Sequence, residues 1–263
     1  MESCKEIIVK ALLSSLPNTQ SIIFKNDSSA RLQEGLTKEV TIAYGTPPEF
    51  ISLEENNAKF FAPFMSGQKT GWFYDHRQNR LRLRDYVKNC KVLDVFSYVG
   101  AWGIEALTFG ATSLDCVDAS ELAISMIQKN AELNGAMKRV TTICDDAFLA
   151  LKKYLKEQKT FDVIIVDPPA FVKKAKDKSE GMLAYQRINE LALKLLTPGG
   201  ILISCSCSMH VSMEDLIDLL RRISSKNNFS LQLLERGHQG PDHPLHLAIP
   251  ETDYLKALFV KKI

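Results

Sequence analysis

Acidic side chains stand at four places where a short β-branched run gives out, and a thiol stands at a fifth. The acids are Asp94 in VLDVFSYVG, Asp118 in DCVDAS, the pair Asp145-Asp146 in TICDDAF, and Asp167 in IVDPPAF. The thiol is Cys207, in Ser206-Cys207-Ser208. In an open parallel sheet, ligands bind beyond the carboxyl ends of the strands where the strand order reverses, so residues directly after each strand carry the chemistry. A dinucleotide fold needs G-x-G-x-x-G after its first strand, which lets the backbone approach a pyrophosphate. Here only Gly100 and Gly103 follow Asp94, in a small-residue turn with Phe96 and Ser97.

An acid inside the first strand end suits a cofactor with an ammonium group and no phosphate. Asp118, about 20 residues further on, can accept from both hydroxyls of a ribose. An acid after the third strand can accept from an adenine amino group, and spacing alone does not separate Asp145 from Asp146. Each acid alone is bland, because Asp after a strand commonly caps the next helix; Asp118, two residues before Ser120, can share that work. Acids at three successive strand ends, without the glycine triplet, fit S-adenosylmethionine (SAM).

Asp167-Pro168-Pro169 is a stiffened turn that can hold a carboxylate and neighbouring carbonyls against a flat base. In a SAM fold this turn points to methylation of a planar nitrogen or of a base carbon; otherwise it is a rigid loop. Cys205, still inside its strand, reads as a small apolar filler. Cys207 lies beyond the strand, where a nucleophile would stand. C5 of cytosine is a poor nucleophile, so a thiolate must first add to C6 to make C5 an enamine carbon; a base later removes the C5 proton and the thiol is eliminated. Asp167 can hydrogen-bond the N3/N4 edge. The rival readings are N-methylation of guanine, which needs no covalent nucleophile, a non-catalytic module that binds SAM and RNA, and an NAD enzyme, which the missing glycines disfavour.

The elements that must position these residues alternate between β-branched runs and helical patterns from about residue 90, as in βαβ units. KVLDVF (91–96), SLDCV (113–117), VTTIC (140–144), FDVIIV (161–166) and ILISC (201–205) are five candidate strands. FSLQLL (229–234) and YLKALFV (254–260) bring the sheet to seven. Asn134-Gly135 and Pro198-Gly199-Gly200 stand where helix stops are wanted, and Ser212 with Asp215 resembles a capping box. The expectation is an α/β doubly wound, mostly parallel sheet spanning residues 66–263. Residues 1–65 read as a small α+β appendage: a helix-like CKEIIVKALLSSL, four short strand-like runs, and Asn56-Asn57 as a hairpin tip.

The 263 residues carry 33 Lys+Arg against 31 Asp+Glu, a formal charge of +2 with 45% hydrophobic residues. That is the balance of a globular domain, and it excludes disordered, collagenous and disulfide-framework classes. A charge this small exerts no global pull on nucleic acid, so a polyanion must meet a local patch. The basic run KKAKDKSEG, with Lys173, Lys174, Lys176 and Lys178, is one candidate; a solvated loop is the other reading. No run is long and apolar enough for a membrane span and no secretory signal opens the chain, so a cytoplasmic protein is expected, with six reduced cysteines, most of them buried.

The chain resembles the bacterial PUA-linked rRNA methyltransferases of the large ribosomal subunit, of which a cytosine-C5 enzyme is a member. The resemblance rests on Gly67-Gln68-Lys69-Thr70-Gly71 with Asp75-x-Arg77-x-Asn79-Arg80, the segment Val92 to Gly100, Asp167-Pro-Pro-Ala-Phe171, Ser206-Cys207-Ser208, Asp242-His243-Pro244 and Ile249-Pro-Glu-Thr252. It implies a Rossmann-like class I SAM methyltransferase fold, Cys207 as nucleophile and Asp167 as its partner. It further implies a lid and ledge of Gln68, Lys69, Asp75, Arg77 and Asn79. Together with Asp94, Phe96, Ser97, Gly100, Asp118, Ala119, Asp146, Ala147, Asp167 and Pro168, these form the cofactor-binding set, with no metal; the family's D-x-F pattern favours Asp146. The implied partner is 23S ribosomal RNA, naked or in an assembling particle, with no membrane and with a homodimer left open. Two departures stand out: the chain begins inside what looks like the linker domain, without a PUA domain, and Ala170 stands where a Lys is common. Read without the resemblance, Asp75 to Arg84 is an amphipathic basic helix start with a solvated face.

Overall fold

The computed structural model describes residues 2–28, 30–67 and 70–263. Gln68 and Lys69 lie outside the described residues. By its contacts the chain divides into two compact units, one of Met1–Ser52 with Ala62–Trp72, the other of Leu53–Phe61 with Phe73–Ile263. The sequence reading cuts the chain once, after residue 65; the chain itself passes from one unit to the other within a hairpin and returns.

In the smaller unit, helix α1 (Lys5–Ser15) is followed by strand β1 (Ser21–Asn26), a single helical turn α2 (Ala30–Gln33) and strand β2 (Glu39–Gly45). β1 and β2 pair antiparallel, with a bulge between Ile22 and Ile23. Lys5 and Arg31 bridge to Glu2 and Glu39, all on the surface, where such pairs contribute little. Strands β3 (Phe50–Glu55) and β4 (Ala58–Pro63) form the hairpin. Asn56 and Asn57 both take positive φ, 50° and 68°, as a two-residue type I′ turn requires, and Asn tolerates that region better than most side chains.

The larger unit holds strands β5 (Lys91–Val95), β6 (Ser113–Asp118), β7 (Val140–Cys144), β8 (Phe161–Val166), β9 (Leu196–Ser206), β10 (Leu231–Gly237) and β11 (Lys256–Lys262). Their order is β10-β11-β9-β8-β5-β6-β7. β7, β6, β5, β8 and β9 run parallel, and β11 runs antiparallel to both β9 and β10. The strand order reverses between β5 and β8, which places the switch point at Asp94 and Asp167. All seven expected strands are present in the expected doubly wound sheet.

The helices between them are α3 (Arg77–Leu81), α4 (Ala101–Thr108), α5 (Glu121–Leu133), α6 (Ala147–Lys156), α7 (Lys178–Leu195) and α8 (Met213–Asn227). α8 opens with the expected capping box, the Ser212 and Asp215 side chains each bonding the other's backbone. α5 ends at Asn134 and Gly135, the latter at φ 62°. Pro198-Gly199-Gly200 is not a helix stop: α7 ends at Leu195, and residues 196–200 already belong to β9, which pairs Leu196 with Phe161. The core is the apolar interior between sheet and helices, with Leu93, Val95, Ile164, Val166, Leu202 and Leu258 at zero exposure.

Asp75 to Arg84 is not a solvated helix face. A 3-10 turn at Tyr74–His76 leads into α3, and Asp75, His76, Asn79, Arg80 and Leu83 are buried. The reason is a charge cluster that the local pattern does not reveal. The Arg80 guanidinium, 1% exposed, donates to Glu55 at 2.7 Å, to Glu105 at 3.2 Å and to the Phe73 carbonyl at 2.9 Å. Asn56 supplies a further donor to Glu105 at 2.7 Å. Burial raises the Glu105 carboxyl well above its ordinary range, against the pull of Arg80. Removing the cation would leave two buried carboxyl groups without it, so Arg80→Ala is expected to lower unfolding free energy by about 3–5 kcal/mol. Urea denaturation checks this; a loss below about 1 kcal/mol would show that the cluster does not hold the α3 segment down.

Candidate active site

The loop after β5 is built from strained backbone. Phe96 and Tyr98 adopt φ of 65° and 50°, and Gly100 takes 81°. Two non-glycine residues at positive φ within three positions are costly, and such strain persists only where the surroundings over-determine it. Here they do. The Phe96 and Ser97 amides both donate to the Val117 carbonyl, at 2.9 and 3.1 Å. Ser97 Oγ donates to the Asp94 carbonyl at 2.6 Å, and Tyr98 N donates to Asp118 Oδ2 at 2.9 Å.

Asp94 is fully buried; its Oδ2 accepts from Gly103 N at 3.1 Å, while Oδ1 has no partner among the described residues. Burial pushes its carboxyl up to about 8, helped by the negative charges of Asp167 and Asp118 and opposed by the Gly103 N–H. A buried carboxylate with one oxygen orphaned is what a cationic group such as an ammonium would complete. Asp118 is half-buried, with Oδ1 accepting from Ser120 N at 2.9 Å while Ser120 caps α5. Each oxygen can still accept on its second lone pair.

The third acid splits into two roles. Asp146 is exposed and caps α6, accepting from Leu149 N at 3.0 Å; Asp145 Oδ1 accepts the Asp146 amide at 2.8 Å. Both acids therefore do helix-start work at the end of β7, beside exposed Ala119 and buried Ala147. Phe96 packs edge-on to Phe171 at 6.2 Å, and Phe171 in turn meets Phe148 and Tyr185.

Asp167 leaves β8 with both carboxylate oxygens held. Trp102 Nε1 donates to Oδ2 at 3.0 Å, and His76 Nε2 faces Oδ1 at 3.3 Å. Burial alone would raise this carboxyl, yet the His76 and Trp102 contacts hold it below its usual range. His76 is itself fixed by Asn79 Nδ2, 3.3 Å from Nδ1, and by the Trp102 ring. Donor atoms of His76, Asp167 and Cys205 lie within 4.8 Å of one another. Burial raises the Cys205 thiol well above its ordinary pKa, and it stands behind the contact between His76 and Asp167. Pro168 is buried and Pro169 exposed.

The thiols do not follow the expected burial. Cys116 and Cys205 are buried, Cys90 and Cys207 are intermediate, and Cys4 and Cys144 are exposed. The correction has a simple cause: Cys4 lies before the first long helix and Cys144 at the end of an outermost strand, where little covers them. Cys207 stands one residue beyond β9, and its two serine neighbours are pinned. Ser206 Oγ donates to Tyr185 Oη at 2.9 Å, Tyr185 Oη meets Ser208 Oγ at 2.9 Å, and Val172 N donates to Ser208 Oγ at 3.3 Å. Gly181 of α7 lets this happen, since a Cβ there would lie 2.4 Å from Val172 and 2.8 Å from the Phe171 carbonyl.

Among the ledge residues, Asp75 accepts from Tyr254 Oη at 2.8 Å. Arg77 reaches Asp242 at 3.3 Å, with its Nε lacking a partner among the described residues. Asn79 is at zero exposure, bonded to Arg82 at 2.9 Å, set against Gly237 and 3.3 Å from His76 Nδ1. His76, Trp102, Tyr254 and Lys256 were not singled out by sequence. The signal was present for His76, inside the Asp75-x-Arg77 motif, and absent for the other three.

The Asp94 geometry makes a testable statement. Its raised carboxyl is protonated in the folded chain and ionised in the unfolded chain between about pH 4 and pH 8, so it subtracts increasing stability as pH rises through that window. Asp94→Asn is expected to melt higher than the parent at pH 8, by a few degrees, with the gap closing toward pH 5. Thermal melts at the two pH values decide it; a gap independent of pH would sink it.

A family model described as S-adenosylmethionine-dependent methyltransferase matches residues 35–261. The ribosomal RNA large subunit methyltransferase I of Aliivibrio fischeri (strain ATCC 700601 / ES114) is 36% identical over 257 residues, covering 97% of this chain and 65% of that protein. The protein of the same name from Vibrio cholerae is 34% identical over 261 residues, covering 98% and 66%. The chain thus spans about two thirds, in the first case just under, of the length of these curated relatives. Among solved structures, a SAM-dependent methyltransferase from Streptococcus mutans superposes with a TM-score of 0.84 at 22% identity, covering 99% of this chain and 66% of that one. A methyltransferase complexed with S-adenosylhomocysteine gives 0.83, with the same identity and coverage. The M. jannaschii tRNA m1G37 methyltransferase gives 0.67 at 18% identity, covering 98% and 67%. These likenesses confirm the fold, and the acids, the strained loop and the matched residues together make this chain a member of the S-adenosylmethionine-dependent methyltransferase family.

Proposed function

We propose that this chain methylates C5 of a cytosine in 23S ribosomal RNA, through a covalent bond between Cys207 Sγ and C6 of the base. The observation that carries the reading is the placement of Cys207. It is partly exposed just past the end of β9, beside the β8 end that carries Asp167, and it is held between two serines anchored on Tyr185. The relatives named ribosomal RNA large subunit methyltransferase I support the substrate class.

When bound, SAM supplies an electrophilic methyl group on a sulfonium. Asp94 would meet its ammonium, Asp118 the ribose hydroxyls and Asp146 the adenine, with Phe96, Ser97, Gly100, Ala119, Ala147 and Pro168 shaping the walls. Asp75 and Arg77 would lie beside it. Asp167, held as an anion by His76 and Trp102, accepts from the cytosine N4 amino group and, once N3 has taken the proton that the Cys207 thiol gives up, from N3–H. Cys207 Sγ adds to C6, which makes C5 an enamine carbon; after transfer, loss of the C5 proton to a base breaks the S–C6 bond, and the N3 proton returns to the departing sulfur, so that the chain regains its starting state. Lys173, Lys174 and Lys176 are exposed and available to phosphates, whereas Lys178 is paired with Asp215 at 2.7 Å.

Methyl transfer to large-subunit RNA from cells lacking the gene is the test. Cys207→Ala is expected to lose at least about a thousandfold in rate, as when a covalent nucleophile is removed. Cys205→Ala should retain turnover of the same order as the parent. RNA with 5-fluorocytosine at the target should trap a protein–RNA adduct on Cys207, because fluorine cannot leave as a proton does. Near-parental activity of Cys207→Ala would overturn the covalent route and leave N-methylation of guanine as the reading.

A further inference from the structure

A line of polar contacts runs from β10 to the end of β8. Glu235 of β10 meets Arg82 Nε at 3.0 Å, and Arg82 Nη1 donates to Asn79 Oδ1 at 2.9 Å. Asn79 Nδ2 stands 3.3 Å from His76 Nδ1, and His76 Nε2 stands 3.3 Å from Asp167 Oδ1. On the other side of that carboxylate, Trp102 Nε1 donates to Oδ2 at 3.0 Å. Asn79 and His76, the middle of the line, are buried. Gly237 makes room for it, since a Cβ there would lie 2.2 Å from Asn79 Oδ1.

The direction of each proton follows from which groups can donate. A guanidinium only donates, so the Asn79 atom facing Arg82 is the carbonyl oxygen, and the atom facing His76 is the NH2 group. An NH2 group also only donates, so His76 Nδ1 must offer its lone pair. The ring proton is then on Nε2, pointed at a carboxylate that only accepts when ionised. The reverse tautomer would set N–H against N–H at Asn79 and a lone pair against the carboxylate at Asp167. An imidazolium would relieve the second conflict and keep the first. Both ends of the ring therefore ask for one tautomer, and the hydrogen bond on one nitrogen decides where the other nitrogen carries its proton.

We propose that Asn79, oriented by Arg82, fixes His76 as the Nε2–H tautomer and thereby makes Asp167 a ledge that only accepts hydrogen bonds. Asn79 and His76 are positioning residues: each acts through the next, and Asp167 is the group that meets the base. One donor on each oxygen sets the plane of the carboxylate, and each oxygen keeps a second lone pair for a ligand. Such a ledge favours a base edge that presents donors side by side. Cytosine does so at its N4 amino group and, in the adduct, at N3–H; uracil carries an oxygen at C4, which would face the carboxylate lone pair to lone pair. That use of the tautomer rests on the cytosine reading given above; the tautomer itself does not.

The experiment is long-range proton–nitrogen correlation NMR of the full chain labelled with 15N-histidine, at about pH 7.5, above the range where a free imidazole titrates. The His76 signals are assigned by their loss in His76→Gln. The parent should show a bare Nδ1 and a protonated Nε2, without the averaging of an exchanging ring. Asn79→Asp puts an acceptor where the NH2 group stood and keeps a partner for Arg82, so it should bring a proton onto Nδ1. A parental His76 protonated on Nδ1, or averaged between tautomers, overturns the proposal whether or not the variant folds, and so does an unchanged His76 in Asn79→Asp. Methyl transfer then reads the use of the tautomer. Asn79→Asp should lose about ten- to a hundredfold in rate, the worth of a hydrogen bond to a charged group, and His76→Gln, whose amide can still donate to Asp167, should outpace His76→Phe. A changed tautomer with the parental rate would overturn the role of Asn79 in positioning Asp167. Because the tautomer is read without turnover, the expected spectra in a chain that methylates no cytosine would uphold it and remove only the proposed function.

Discussion

The arrangement depends on one row of backbone pairing. In the parallel ladder, Val95 pairs with both Val117 and Val166, Val117 pairs with Ile143, and Val166 pairs with Ser204. These five residues lie in register at one level of the sheet. One residue beyond that level stand Phe96, Asp118, Cys144, Asp167 and Cys205, and every loop that follows opens on the same edge. Because side chains alternate between faces with a period of two, a slip of one residue in any strand would turn its acid or thiol to the other face. The buried Val95, Val117 and Val166 side chains that fix the register therefore also fix the chemistry.

That register explains why two nearly identical thiols differ. Cys205 lies inside the ladder, paired with Ala257, at zero exposure, and its thiol is driven up by burial. Cys207 lies outside it, so its surroundings are set by the serines on either side and by the helix that receives them. The contrast comes from where β9 ends and from Gly181 allowing α7 close to the Phe171-Val172 segment. Strain is placed by the same logic: Phe96 and Tyr98 keep unfavourable φ because the end of β6 offers acceptors that no relaxed loop would meet.

Much of this was legible in the residues. VTTIC and FDVIIV are strands to the residue, Asn56-Asn57 takes the turn its type requires, and the Ser212 capping box forms as spaced. These features are local: propensity, period and capping act within a few residues, and distant packing agrees with them. The Asp75 to Arg84 segment was misread as solvated because its burial is decided 25 residues away in either direction, at Glu55 and Glu105. The Pro198-Gly199-Gly200 segment was misread because a helix stop and a strand entry share the same residues. Asp146 shows the reverse case: an acid directly after a strand is a cap on local grounds alone, and it caps α6.

What sequence inspection could not reach follows from the direction of one strand. Looking just after each strand finds the site residues of a parallel sheet, because all its carboxyl ends lie together. β11 is reversed, so the residues it brings to that edge are those just before and at its beginning: Tyr254, which bonds Asp75, and Lys256, which bonds Ser208. A lysine at the start of a strand reads from the sequence as an exposed charge at an element end. Its 4% exposure arises where β10 and β9 flank it on both sides and its ammonium turns onto the Ser208 and Tyr254 carbonyls. In a mixed sheet of this kind, the search for site residues must therefore include the amino-terminal end of any antiparallel strand, where a basic side chain can be buried against the same loops that carry the acids.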